Sequence, residues 1–171
     1  MDYVQQKQFM VNASRYTLLD NNLVLIAPIN STLKSITISQ KTNWRTLANS
    51  ERITVGDPDH VPVGIYAKQA LVALGACKTV DIMLARTNNV RNGMALVELN
   101  EAPLGIVYDS DVGVSKKVKV VGIFPANSYN AIQYPIAIVK NHQTNQVNDF
   151  FVYLKTPAAP AIFKHYGFRP L

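Results

Sequence analysis

Residues 22–28, Asn-Leu-Val-Leu-Ile-Ala-Pro, form a nearly continuous apolar run. Such a run reads as a strand covered on both faces, as in the parallel sheets of α/β proteins, because a half-exposed strand would alternate polar and apolar residues. The rest of the chain repeats the theme at intervals. Arg52–Gly56, Ile82–Ala85, Leu104–Tyr108, Val118–Phe124 and Tyr134–Val139 read as further short strands.

Helical patterns fall between them. A short turn covers 43–47, and a helix over 63–74 carries Ile65, Ala70, Leu71 and Leu74 and stops at Gly75. Asn88 or Asn89 is placed to cap a helix from Val90 to Leu99. Two more helices follow, over 144–154 and 158–166, the last led in by Pro157 and ended by Gly167. Strands alternating with helices predict an α/β fold with a mostly parallel sheet flanked by helices. With 171 residues, 48% hydrophobic, the chain is long enough for one domain, or for one domain with a fragment of another.

The longest apolar stretches, Leu23–Pro28 and Pro135–Val139, fall far short of the roughly 18 residues that cross a bilayer, so no membrane insertion is expected. The opening Met1-Asp2-Tyr3-Val4-Gln5-Gln6-Lys7 is polar and acidic at its second position, unlike a secretory signal. The formal charge of +6 raises the question of a polyanion partner. Residues 115–171 hold seven basic groups and one acidic group, with Lys116, Lys117 and Lys119 clustered and no aromatic residue interleaved. A solvated face therefore reads better than a nucleic-acid surface, and no nucleic-acid partner is expected.

Catalytic signatures are missing. Gly-x-Ser-x-Gly, Gly-x-Gly-x-x-Gly and the phosphate loop are absent, so no enzyme activity and no cofactor are expected. Asp57, Asp59 and His60 crowd one proline-rich turn without completing a metal shell. The single cysteine, Cys77, reads as packing, and neither His142 nor His165 has an identifiable partner. What remains is a physical pattern. Two helix N-termini, at 61–64 and 89–90, follow strands, and in open α/β sheets such points offer unpaired N–H groups to oxyanions at the carboxyl edge of the strands. Tyr108, closing its own strand, is a third donor there.

The segments Val55–Lys68, Asn100–Tyr108 and Ile162–Phe168 resemble the periplasmic molybdate-binding proteins of bacterial ABC importers, in register from about Asp2 to the C-terminus. The resemblance implies a two-lobed binding protein that holds a dehydrated oxyanion between lobes with neutral donors. Carried over by position, these are the backbone N–H groups of Val63 and Val90 and the phenol of Tyr108. Better-known relatives have alanine where this chain has Val63, a change of shape that leaves the N–H in place. Molybdenum would enter only as molybdate, with tungstate an equal candidate.

By the same resemblance, residues 1–19 and the helices of 141–171 are pieces of a first lobe, and 20–140 are a second, oxyanion-binding lobe. The signal peptide and most of the first lobe, with its serine-bearing segments, have no counterpart in this sequence. The implied partners are the oxyanion and the ABC transporter permease, the implied location is the periplasm, and weak binding is expected from half a cleft. Helices meant to cover a lobe would expose apolar surface and favour a homodimer. Two alternatives stand beside this reading: a cytoplasmic effector-sensing domain of the same fold, and a self-associating fragment without a ligand.

Overall fold

A computed structural model describes residues 1–171, and the chain divides into two compact units. One holds Met1–Asn21 with Ile132–Leu171, the other Asn22–Ala131.

The first unit opens with α1 (Asp2–Gln6) and β1 (Tyr16–Asn21). The chain then builds the whole second unit: β2 (Leu23–Pro28), α2 (Trp44–Leu47), β3 (Ile53–Gly56), α3 (Pro62–Ala73), α4 (Cys77–Asp81), β4 (Leu84–Thr87), α5 (Val90–Glu98), β5 (Leu104–Tyr108), α6 (Asp109–Val112) and β6 (Val118–Ile123). It returns to the first unit with β7 (Ile132–Ile136), α7 (Asn145–Leu154), α8 (Ala158–His165) and β8 (Arg169–Pro170).

In the second unit five strands lie in the order β4-β3-β5-β2-β6. The α/β class follows the apolar runs, but the sheet is mixed rather than mostly parallel. β3 is parallel to β4 and β5, while β2 is antiparallel to both β5 and β6. All six residues of β2 are buried, as its composition demands. Burial on two faces reports how many layers cover a strand and not which way its neighbours run; direction is set by the connections. The outer edge of β6 is approached by the Ser- and Thr-rich segment after β2, where the Ile36 N–H donates to the Val121 carbonyl at 2.8 Å and Ile38 is buried.

Helix α5 packs through Met94 and Val97 on Val24, Ile26 and Val107, alternate residues of β2 and β5 that face the same side. Thr54, fully buried on β3, donates its hydroxyl to the Gly93 carbonyl at 2.9 Å. Helix α3 buries Val63, Gly64, Ala67, Ala70 and Leu71, a stripe at helical spacing. Ile65, expected on that stripe, lies off it and is 40% exposed. The helix ends where Gly75 takes φ +67°, a left-handed conformation open to glycine at little cost. Cys77 is half-buried and opens α4, an element the sequence pattern did not signal.

The first unit is a three-stranded antiparallel sheet, β7-β1-β8, a second sheet outside the predicted pattern. Because β7 pairs with β1, from Tyr16 opposite Ile136 to Asn21 opposite Ile132, residues 132–136 group with the first unit although they lie within the span 20–140. Pro135 is accommodated on this edge strand. Its core is small: Met10, Leu18, Leu19, Ile132, Ile138 and Ala159. Helix α7 is capped by Thr144, whose hydroxyl accepts the Val147 N–H, yet it buries no residue.

Candidate functional site

The three sequence-predicted donors all belong to the second unit, and the sheet brings them to one edge. β3 and β4 run parallel with Gly56 opposite Thr87, so the helices that follow them start side by side beyond their carboxyl ends. β5 runs parallel on the other side of β3 and ends at Tyr108. One hydrogen bond extends the ladder past the strands, from the Asp57 N–H to the Thr87 carbonyl at 2.8 Å.

The turn between β3 and α3 is closed on itself. Asp57 accepts the Asp59 N–H on its carboxylate at 2.9 Å, and its carbonyl accepts the N–H groups of His60 and Val61. The sequence singled out this turn as a crowded acidic loop, and its carboxylates are engaged locally. Asp59 meets Lys68 at 2.9 Å and Arg86 at 3.4 Å, and Arg86 meets Asp81 at 2.9 Å. The Lys68 ammonium, by hydrogen bond and charge, holds the Asp59 carboxyl below its usual range. No group of three or more His, Cys, Asp or Glu side chains is arranged to hold a metal ion.

Helix α3 begins with Val61 as its N-cap, a side chain that cannot cap, and Pro62, which has no N–H. The Ile65 N–H reaches the Val61 carbonyl at 3.0 Å, so the first turn leaves Val63 and Gly64 as the N–H groups without an intrahelical acceptor. Val63 is buried to 1% exposure. At α5 the Asn89 side chain caps the Asn92 N–H at 2.8 Å, and the Gly93 N–H donates to the Asn89 carbonyl. Val90 and Arg91 are then the N–H groups left over. Two dipole ends, differently capped, present four backbone donors at the sheet edge where β5 also ends.

Glycine makes this approach possible, a requirement the sequence reading passed over. A Cβ on Gly64 would lie 1.9 Å from the Gly56 carbonyl oxygen, and one on Gly56 would lie 2.8 Å from Val63 Cγ1. The start of α3 therefore rests directly on the end of β3. The spacing of glycines eight residues apart across Val55–Lys68 was the available signal, since two glycines flanking a strand-to-helix turn permit such contact.

Aromatic rings complete the edge. Tyr66, one turn into α3, meets Tyr108 and Tyr129 edge-on, each with centroids 6.4 Å apart. Beyond Tyr108, Asp111 accepts the Tyr108 N–H at 3.2 Å. Burial pushes the Asp111 carboxyl above its ordinary range, against the pull of that N–H and of the Arg91 charge. A separate recess of about 440 Å³, lined by Ser31, Thr37, Asn43 and Thr46 among others, shares no residue with this donor cluster. The lysines of 116–119 are solvated or tied locally, Lys119 to the Ser31 carbonyl, and His142 and His165 are exposed.

This edge offers neutral backbone hydrogen-bond donors of the kind that suit a small anion. Known proteins share the frame. The molybdate-binding protein ModA of Escherichia coli (strain K12) is 53% identical over 168 residues, 98% of this chain and 65% of its own length. ModA of Haemophilus influenzae is 43% identical over the same share of this chain and 66% of its length. This chain thus spans just under two thirds of the length of these two relatives. Among solved structures, a substrate binding domain from Clostridium difficile superposes with a TM-score of 0.86 at 25% identity, covering 100% of this chain and 72% of that one. The family model described as bacterial extracellular solute-binding protein matches residues 1–169, and the chain belongs to that family.

Proposed function

We propose that the second unit is the oxyanion-binding half of a molybdate or tungstate carrier that delivers its ligand to an ABC permease from the periplasm, without catalysis. One observation carries the reading: the N–H groups of Val63 and Val90 and the end of β5 at Tyr108 share one sheet edge. Backbone N–H groups and a phenol are neutral donors, suited to a tetrahedral dianion whose charge is spread over four oxygens. The similarity to two molybdate-binding proteins and the neutral backbone donors of the edge support the same ligand.

Calorimetric titration with molybdate and tungstate, with sulfate as control, tests it. Weak binding of molybdate and tungstate with sulfate silent is the expected result. Tyr108→Phe removes one hydrogen bond to a charged ligand and lowers affinity by roughly 10- to 100-fold. Unchanged binding in that variant would remove Tyr108 from the site.

A second reading concerns assembly. The first unit exposes Phe150, Val152, Ile162 and Tyr166, which favours pairing of this unit with a second copy of the chain. Sizing by light scattering should then show a dimer that Phe150→Ser weakens; a monomer at all concentrations would sink this reading.

A further inference from the structure

We propose that Thr87 is a positioning residue that holds the Val90 N–H in the direction in which it donates; this rests on the reading of Val90 as an oxyanion donor. The Thr87 hydroxyl donates to the Asn89 carbonyl at 2.9 Å. That carbonyl and the Val90 N–H are the two ends of one peptide unit, which is planar, so holding the oxygen sets the opposed direction of the N–H. The helix itself gives the same oxygen a longer bond, from the Gly93 N–H at 3.3 Å.

Thr87 is itself held by the sheet. It closes β4 opposite Gly56, and its own carbonyl accepts the Asp57 N–H at 2.8 Å, so one residue is bonded to the turns that lead into both α3 and α5. Its hydroxyl also lies 3.1 Å from the Val55 carbonyl, so its single proton is divided between β3 and the start of α5, and one side-chain rotamer serves both contacts. Gly93 leaves room for this approach: a Cβ there would lie 3.2 Å from Thr87 Oγ1. Thr54 gives its hydroxyl to the Gly93 carbonyl at 2.9 Å, so threonines on adjacent strands hold two carbonyls of the first turn of α5. A donor whose peptide is already fixed loses little freedom on meeting an anion, and a hydrogen bond to its carbonyl strengthens the N–H of the same peptide.

The test compares Thr87→Val, which keeps the branched shape and suits a strand, with Thr87→Ser, which keeps the hydroxyl. Molybdate titration is paired with the residual dipolar coupling of the Val90 N–H measured by NMR. Thr87→Val is expected to shift that coupling and to weaken molybdate binding about three- to tenfold, while Thr87→Ser keeps the parent coupling and affinity within about twofold. A Val90 coupling that Thr87→Val leaves unchanged overturns the proposal whatever the affinity. So does a Thr87→Ser variant as impaired as Thr87→Val, because packing rather than the hydroxyl would then be at work. Should the parent chain bind no molybdate while Thr87→Val alone shifts the Val90 coupling, the positioning contact stands and the oxyanion reading falls.

Discussion

Strand β2 in the second unit buries all six of its residues, whereas helix α7 in the first buries none of its ten. Both carry several large apolar side chains, Leu-Val-Leu-Ile-Ala-Pro against a helix with Val147, Phe150, Phe151, Val152 and Leu154. What separates them is coverage. β2 has a hydrogen-bonded neighbour on each side and α5 packed on one face. Phe150 is 62% exposed and stacks only on Tyr153, beside an apolar recess of about 320 Å³. Hydrophobic residues thus state a demand for burial, and the surrounding elements decide whether it is met.

Trp44, the only tryptophan, lies in the second unit, buried against Phe124, so its fluorescence follows that unit alone. This makes the contrast between units measurable. The largest effect is expected from Gly64→Ala, where the new Cβ would meet a backbone oxygen that cannot step aside. A loss of about 4 kcal/mol or more is expected in unfolding followed at Trp44, together with loss of molybdate binding.

Leu25→Ala in β2 should cost about 3 kcal/mol, and Phe150→Ala in α7 should stay within about 0.5 kcal/mol in denaturant unfolding followed by circular dichroism. Equal costs would erase the distinction drawn between the two elements. Thr54→Val removes a fully buried hydroxyl from the Gly93 carbonyl and is expected to cost about 1 kcal/mol by the same measurement at Trp44.

The smallest effect is electrostatic. Because burial raises the Asp111 carboxyl, its stabilisation is complete below the unfolded value and is lost as pH rises through the raised folded value. Asp111→Asn keeps an acceptor for the Tyr108 N–H without the charge. It should therefore gain on the parent at neutral pH by no more than about 0.5 kcal/mol, an advantage that disappears in acid. Asp59 runs the other way. Its lowered carboxyl stabilises the fold above the unfolded value, and that contribution is lost as pH falls through the folded one.

Much of the candidate site was legible along the chain. Pro62 and Asn89 mark two helix starts by their own chemistry, one lacking an N–H and the other capping, and the run Leu104–Tyr108 marks a strand end. The ring contacts of Tyr66 with Tyr108 and Tyr129 were not legible. Tyr66, Tyr108 and Tyr129 are separated by 42 and 21 residues, and no local pattern joins residues that meet only because β5 returns beside β3 and β2 enters next to it.

The sequence by itself determined most of the strands and helices of the second unit, and where two of the helices stop. The φ values of +67° at Gly75 and +78° at Gly167 fulfil a local preference. Only the tertiary structure decided that β2 runs antiparallel to its neighbours, that Gly64 rests on Gly56, and that one apolar helix face is covered while another is not. The physical reason lies in range. Propensity, capping and turn chemistry act over a few residues of covalent chain, whereas strand order and burial depend on which distant segments close over one another, a choice governed by connection length and the total apolar surface removed from water.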